Sequence, residues 1–207
     1  MRLLIISLNG DPLADLGSLH AGGQCKYILE LSKNLVGLGW NIDILTIKNQ
    51  GQQDIEMVTE GFSVYRISRP NGSDYDYDIK VDELKEMAGQ LPVAMSPLED
   101  YSLVLSCYWL SGVFLRLVDP NHRRPWALTL CALGHFKAAI DDTEAIYERI
   151  RYEKIIVREF DRIIVTNDEE YRVVVDEYGA PEKNVRMIPR GVNLEMFGEY
   201  GAATIHR

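Results

Sequence analysis

The feature that most restricts what this chain can become is its regular alternation of short apolar runs with longer stretches of helical periodicity. Runs at Arg2–Leu8, Ile42–Ile47, Ser63–Ile67, Leu103–Cys107, Trp126–Leu130, Arg162–Thr166 and Val185–Ile188 have the length and composition of strands. Several are apolar almost without a break, as expected of strands covered on both faces in a parallel sheet. Between them, Gln24–Leu38, Asp82–Ala88, Leu110–Leu117, Thr143–Glu159 and Glu169–Tyr178 read as helices. Strands alternating with helices make βαβ units, and the expectation is an α/β fold: a Rossmann-like, doubly wound, mainly parallel sheet.

The first of these units carries the clearest functional signal. After Arg2–Leu8 come Asn9-Gly10-Asp11-Pro12 and a polar stretch ending in Ala21-Gly22-Gly23-Gln24. Tyr27, Ile28, Leu31, Leu35 and Leu38 then recur at helical spacing, and Gly39 marks the helix end. A glycine pair at a helix N-terminus lets a ligand come close to the backbone and aims unpaired N–H groups at an anion. The alternative is a turn and nothing more, since the segment has neither the G-x-G-x-x-G nor the P-loop pattern.

Other signals also follow strands. Tyr108-Trp109-Leu110-Ser111-Gly112 offers aromatic rings to a sugar, with Ser111 or the Gly112 amide as a hydrogen-bonding partner, or else Trp109 simply packs on the sheet end. In Cys131-Ala132-Leu133-Gly134-His135-Phe136-Lys137, Lys137 can seat an anionic group, while His135 reads as a surface residue and Cys131 as a structural thiol. Arg149 and Glu153 stand one helical turn apart and read by default as a solvated pair. Asn167 with Glu170 fits a capping box. Asn71–Asp78 reads as a loop. Ligands of open α/β sheets settle beyond the carboxyl ends of the strands, so Asn9–Gly23, Tyr108–Gly112, Cys131–Lys137 and Thr166–Glu170 should share one edge. That edge is expected to gather Gly22, Gly23, Tyr108, Lys137 and Glu170.

Composition excludes several other classes. The 207 residues make one domain, and a net charge of −9 with no lysine or arginine cluster argues against a nucleic-acid partner, Arg123-Arg124 being too short to count. No apolar run is long enough for a transmembrane segment, and Arg2–Ile6 reads as a strand and not a leader. The three cysteines are odd in number and far apart, which points away from disulfides or structural zinc and towards a reducing cytoplasm. No His/Asp/Glu set has metal-ligand spacing, so no metal is expected.

These segments, taken in order, resemble the N-terminal domain of retaining glycosyltransferases of the GT-B fold, in the family that contains the sucrose-phosphate synthases. The likeness runs from Gly22–Leu31 through Tyr108–Gly112, Leu133–Lys137, Arg149–Glu153 and Ile163–Glu170 to Tyr178-Gly179-Ala180 and Ile188–Asn193. It implies one half of a GT-B architecture: a Rossmann-like acceptor domain over residues 1–193, with 194–207 a tail or the start of a linker. A nucleotide-sugar would be the co-substrate, with no cofactor, and a carbohydrate the acceptor. The donor-binding half would be a missing C-terminal domain or a second chain. On this reading Gly22, Gly23, Gln24, Lys26, Tyr108, Ser111, Lys137, Arg149 and Glu170 are the substrate-binding candidates. Where relatives often read His-Tyr-x-Asp-x-Gly and Thr-x-His-x-Leu-Gly, this chain places Cys107, Leu110 and Cys131 at the polar positions. Those replacements leave the catalytic residues unassigned and keep open a catalytically degenerate binding or regulatory domain. A dinucleotide-dependent oxidoreductase ranks last, because the first turn lacks the glycine fingerprint.

Overall fold

A computed structural model describes residues 1–14, 22–70, 72–73 and 79–191. The strands are β1 (Arg2–Ile6), β2 (Asn41–Ile47), β3 (Ile55–Thr59), β4 (Phe62–Ile67), β5 (Leu103–Cys107), β6 (Trp126–Thr129), β7 (Arg162–Val165) and β8 (Val185–Met187). They form one sheet in the order β3-β4-β2-β1-β5-β6-β7-β8. Every pairing is parallel except that of β3 with β4. The chain order reverses direction between β1 and β5, which is the switch point where such sheets open a crevice.

The helices are α1 (Gly23–Gly37), α2 (Val81–Ala88), α3 (Trp109–Val118), α4 (Gly134–Ala138), α5 (Glu144–Glu159) and α6 (Asp168–Arg172), the last continuing as a wider π-helical turn over Val173–Glu177. The unbroken apolar run of β1 serves two layers at once. Leu3 and Ile5 pack with Ile28 of α1 on one face, while Leu4 and Ile6 pack with α2, α3 and α5 residues on the other. Side chains that alternate across a strand explain why no polar residue interrupts the run.

Several expectations need correction. The antiparallel ribbon strand β3 lies outside the expected set. Its residues are mostly exposed, so Ile55–Thr59 carries no buried-strand signature. Leu8, Leu130, Thr166 and Ile188 fall just past the strands they were assigned to. Leu38 does not belong to the apolar face of α1. It caps the helix, 75% exposed, and Gly39 follows with the left-handed φ of 85° that ends it. Asn167 does accept the Glu170 N–H at 2.9 Å, but the reciprocal arm of a capping box is absent. The Glu170 carboxylate instead takes the N–H and hydroxyl of Thr166, at 2.7 and 2.8 Å. Of the Asn71–Asp78 loop only 72 and 73 lie within the described residues, and 192–207 lie outside them.

Candidate functional site

A cleft of about 340 Å³ opens at the carboxyl ends of the strands. Its lining comes from five places in the chain. Asn9 follows β1, Gly22 to Cys25 begin α1, Tyr108 follows β5, Cys131, Ala132 and Lys137 follow β6, and Arg190 follows β8. Thus the fold brings Gly22, Gly23, Gln24, Tyr108 and Lys137 together.

The start of α1 forms one lip of the cleft. Gly22 is its N-cap, with extended backbone (φ −121°, ψ −178°) and no side-chain cap. The first bond back to Gly22 comes from Cys25 N–H at 3.0 Å, so among the described residues the Gly23 and Gln24 N–H groups have no acceptor. A Cβ placed on Gly22 or Gly23 would meet no described atom within 4 Å. Neither backbone strain nor packing explains the glycine pair; what it leaves is bare, polarised backbone facing the cleft. Gln24 is less available. Its amide pairs reciprocally with that of Asn9, at 3.0 and 3.1 Å, and reaches Ser7 Oγ.

The facing wall contains two residues in unusual backbone conformations. Tyr108 has φ 80° and ψ 157°, a region that suits glycine, and Cys131 has φ 60°. Such conformations cost on the order of 1–3 kcal/mol each and persist only where surroundings over-determine them. Here the surroundings are a buried polar network rooted on α5. Arg149 donates from Nε to Glu153 at 2.7 Å, from one terminal nitrogen to Tyr108 Oη at 3.0 Å, and from the other to the Ala132 carbonyl at 2.5 Å. Its guanidinium also lies 4.7 Å from the Tyr108 ring centroid. Glu153 accepts from Gly134 N–H at 2.9 Å and from Tyr178 Oη at 2.7 Å, and Tyr178 Oη in turn accepts from His135 N–H at 3.0 Å. The expected solvated pair is therefore a correction: Arg149 and Glu153 are 4% and 0% exposed. The i,i+4 spacing is right, but it does not say which face of the helix the pair occupies.

A second buried pair holds the other wall. Asp11 accepts from Arg66 Nε at 2.7 Å and from Gln52 at 2.7 Å, and its other oxygen caps Leu13 N–H at 2.8 Å. Both partners are about 1% exposed, and Arg66 also reaches Glu56 and the Gln53 carbonyl. This ties the loop after β1 to the β3–β4 ribbon.

Two cations stand over the open space. Lys137 is exposed on α4. Arg190 lies 4.6 Å from the Tyr27 ring centroid. Burial pushes the Tyr27 hydroxyl up to about 12, with the neighbouring thiols adding to it and Arg190 opposing. Burial likewise raises the Cys131 thiol, again against Arg190, and raises the Cys107 thiol well above its ordinary value. Both are neutral at pH 7 and unsuited to nucleophilic attack.

The remaining candidates sit elsewhere. Ser111 is buried and accepts the Leu8 N–H at 3.1 Å, and Gly112 N–H bonds the Tyr108 carbonyl, so both fasten β1 and α3 and do not face the cleft. Leu110 is buried in the core. Trp109 stacks on Tyr152 at 5.8 Å. Lys26 pairs with Glu30 at 2.8 Å along α1, and Glu170 is engaged by Thr166; neither lines the cleft. Asn9 opens the expected Asn9–Gly23 stretch, whereas the lining residue Arg190 lies outside the expected stretches, although it follows a strand and the carboxyl-end rule could have flagged it. Among the described residues no group of three or more His, Cys, Asp or Glu side chains could hold a metal ion, and no helix is long and apolar enough to cross a membrane.

Residues 22–191 match the family model described as glycosyl transferase 4-like domain. Mannosylfructose-phosphate synthase of Agrobacterium fabrum is 29% identical, over 98% of this chain and 48% of its own length. D-inositol 3-phosphate glycosyltransferase of Thermobifida fusca is 31% identical, over 95% of this chain and 46% of its own. Among solved structures, sucrose-phosphate synthase from Thermosynechococcus elongatus superposes with a TM-score of 0.80 at 26% identity, covering 94% of this chain and 49% of that one. The chain spans about half the length of the curated relatives it matches.

Proposed function

The chain belongs to the glycosyl transferase 4-like domain family, and on that premise we propose that it is the acceptor-side half of a retaining glycosyltransferase. The reaction moves a sugar from a nucleotide-sugar, a UDP-sugar first among them, to a sugar, sugar-phosphate or related acceptor. The observation that carries this reading is the bare N-terminus of α1 at Gly22 and Gly23, opened towards Lys137 and Arg190 across the cleft. As the glycosidic bond to the diphosphate breaks, negative charge grows on the leaving oxygens. Fixed N–H dipoles and two cations stabilise that charge without having to reorganise. Tyr108, held by Arg149, supplies a rigid ring and hydroxyl on the acceptor side of the same space. The similarity to enzymes named for sugar-phosphate products and for an inositol phosphate substrate supports a polar or phosphorylated acceptor.

The nucleotide-binding half is proposed to come from a further domain following residues 1–193 or from a second chain, because the curated relatives are about twice as long as the match. Reduced, buried thiols at Cys25 and Cys107 suit a reducing cytoplasm. Joined with its donor-binding half, the protein should transfer sugar from at least one of a panel of nucleotide-sugars with retention at the anomeric carbon. Residues 1–207 alone should be inactive or nearly so. Lys137→Ala should weaken donor or acceptor binding, while Lys183→Ala should not. Absence of both transfer and hydrolysis across the panel would sink the reading in favour of a second one, a degenerate binding or regulatory domain. The second reading is favoured by the neutral Cys107 and Cys131 and the buried Leu110 at positions where relatives place polar groups.

A further inference from the structure

The end of the sheet opposite the cleft carries a second concave surface, of about 560 Å³, lined by His122, Arg123, Arg124, Pro125, Asp161 and Arg162. It lies where β6 and β7 begin, so the same two strands separate it from the cleft. We propose that this surface is a binding site for a phosphate-type oxyanion, recognised by the guanidinium groups of Arg124 and Arg162 beside the His122 ring.

The charged groups around this surface are unequally engaged. Arg123 is neutralised locally: its Nε bonds Asp119 at 2.9 Å and a terminal nitrogen pairs with Glu99. The carboxylate of Asp161 accepts from the Trp126 N–H and meets His122 Nε2, both at 2.8 Å, so it orients the imidazole. His122 is stacked on the Trp126 indole, ring centroids 3.9 Å apart and planes 12° from parallel, and has a left-handed φ of 48°. Arg162 uses one terminal nitrogen on the Asp161 carbonyl at 2.6 Å. Arg124 makes no ion pair or hydrogen bond with the described residues, and its Nε is buried without an acceptor. Its two terminal nitrogens, also without an acceptor among the described residues, are the donors left for an incoming oxyanion.

The ligand class follows from the donors. Guanidinium forks match the edges of a tetrahedral oxyanion with paired hydrogen bonds, and the His122 ring, its Nε2 already engaged by Asp161, lies beside them in the same lining. General attraction is excluded as the cause, because the chain as a whole carries a net charge of −9 and would repel an anion at long range. The volume leaves room for an esterified group beyond the phosphate. His122, Arg123 and Arg124 are consecutive in sequence, but Asp161 and Arg162 join them only through the pairing of β6 with β7.

Proton NMR of the histidine rings tests this site separately from the cleft, since His122 reports here and His135 lies beyond β6 on the other side. The protein is titrated with inorganic phosphate and, in a second arm, with a hexose monophosphate, at constant pH and ionic strength. The His122 ring resonance, assigned with His122→Asn, should shift along a saturable curve. Arg124→Gln and Arg162→Gln, variants whose folding is checked by circular dichroism, should each raise the midpoint at least tenfold, and Lys137→Ala should leave it in place. Equal midpoints in the two arms mean that the phosphate alone is recognised, and a lower midpoint for the hexose monophosphate means that its sugar is bound too. Either result supports the site. A shift that is absent, or linear to the highest concentration, or unchanged by Arg124→Gln and Arg162→Gln overturns it.

Discussion

The walls of the cleft and its lip are built on opposite principles. In the walls, the buried ionic groups are matched: Arg149 and Glu153 between them engage Tyr108, Ala132, Gly134 and Tyr178, and Asp11 with Arg66 pins the loop after β1 to the ribbon. At the lip, a Cβ added to Gly22 or Gly23 would meet no described atom within 4 Å, two N–H groups lack acceptors among the described residues, and Lys137 stands exposed. Polar groups that complete one another inside the protein hold a shape. Polar groups left incomplete at a cleft mark where something else completes them. Substitutions in the walls should therefore register in stability, and substitutions at the lip in binding.

The largest effect is expected at Glu153. Glu153→Ala leaves the Arg149 guanidinium buried with no anion and orphans the Gly134 N–H, which should cost about 3–5 kcal/mol by urea unfolding. Asp11→Ala is the matched test on the other wall. Arg66 would keep Glu56 and the Gln53 carbonyl, so its charge is not abandoned, and a smaller loss of about 1–3 kcal/mol is expected. Equal losses at the two positions would show that the walls are alike after all.

Tyr178→Phe comes next, at about 1–2 kcal/mol, because the Glu153 carboxylate loses a donor and the His135 N–H an acceptor. It has a pH signature as well. Burial, with the Glu153 carboxylate close by, holds the Tyr178 hydroxyl well above its ordinary value near 10. Below pH 10 the folded and unfolded chains both keep that proton, and the contribution to stability is complete. Above pH 10 the unfolded chain releases it and the folded chain does not, so stability falls with rising pH, by about 1.4 kcal/mol per unit for this one group. Tyr101, buried beside Asp43, adds a slope of the same sign. Tyr178→Phe should flatten the alkaline limb, and an unchanged slope would take Tyr178 out of the network.

How much of this was legible beforehand divides along the same line. The strands read well, because Leu3 to Ile6 must satisfy two apolar layers and so show no polar interruption; β3 did not, because Met57 on an edge strand is exposed and carries no pattern. The lip was legible, since glycine before a helix has a local meaning. The walls were not. Nothing in the spacing of Arg149 and Glu153 distinguishes a buried face from a wet one, and Asp11 finds Arg66 only after 55 residues of chain have folded. Ser111 and Glu170 show the same limit of a local pattern: a hydroxyl or carboxylate after a strand can complete the scaffold as readily as it can meet a sugar.

The smallest change in stability, and the sharpest contrast with the walls, is expected at Gly23. It is the first residue of α1, its φ lies outside the left-handed region, and an added Cβ meets no described atom. Gly23→Ala should thus leave the unfolding midpoint unchanged or raise it, by at most about 0.5–1 kcal/mol, since alanine loses less backbone entropy than glycine on entering a helix. The same methyl group would stand in the path of an anion approaching the Gly23 and Gln24 N–H groups. In the protein joined with the donor-binding half proposed above, kcat/KM for the proposed nucleotide-sugar should fall at least tenfold, about 1.4 kcal/mol of lost transition-state binding. The two readouts must move apart for the contrast to stand. If Gly23→Ala destabilises the fold as Glu153→Ala does, the glycine pair belongs to the scaffold. If it leaves both stability and kcat/KM untouched, the bare helix end faces no ligand, and the reading of this lip as the seat of the leaving diphosphate falls.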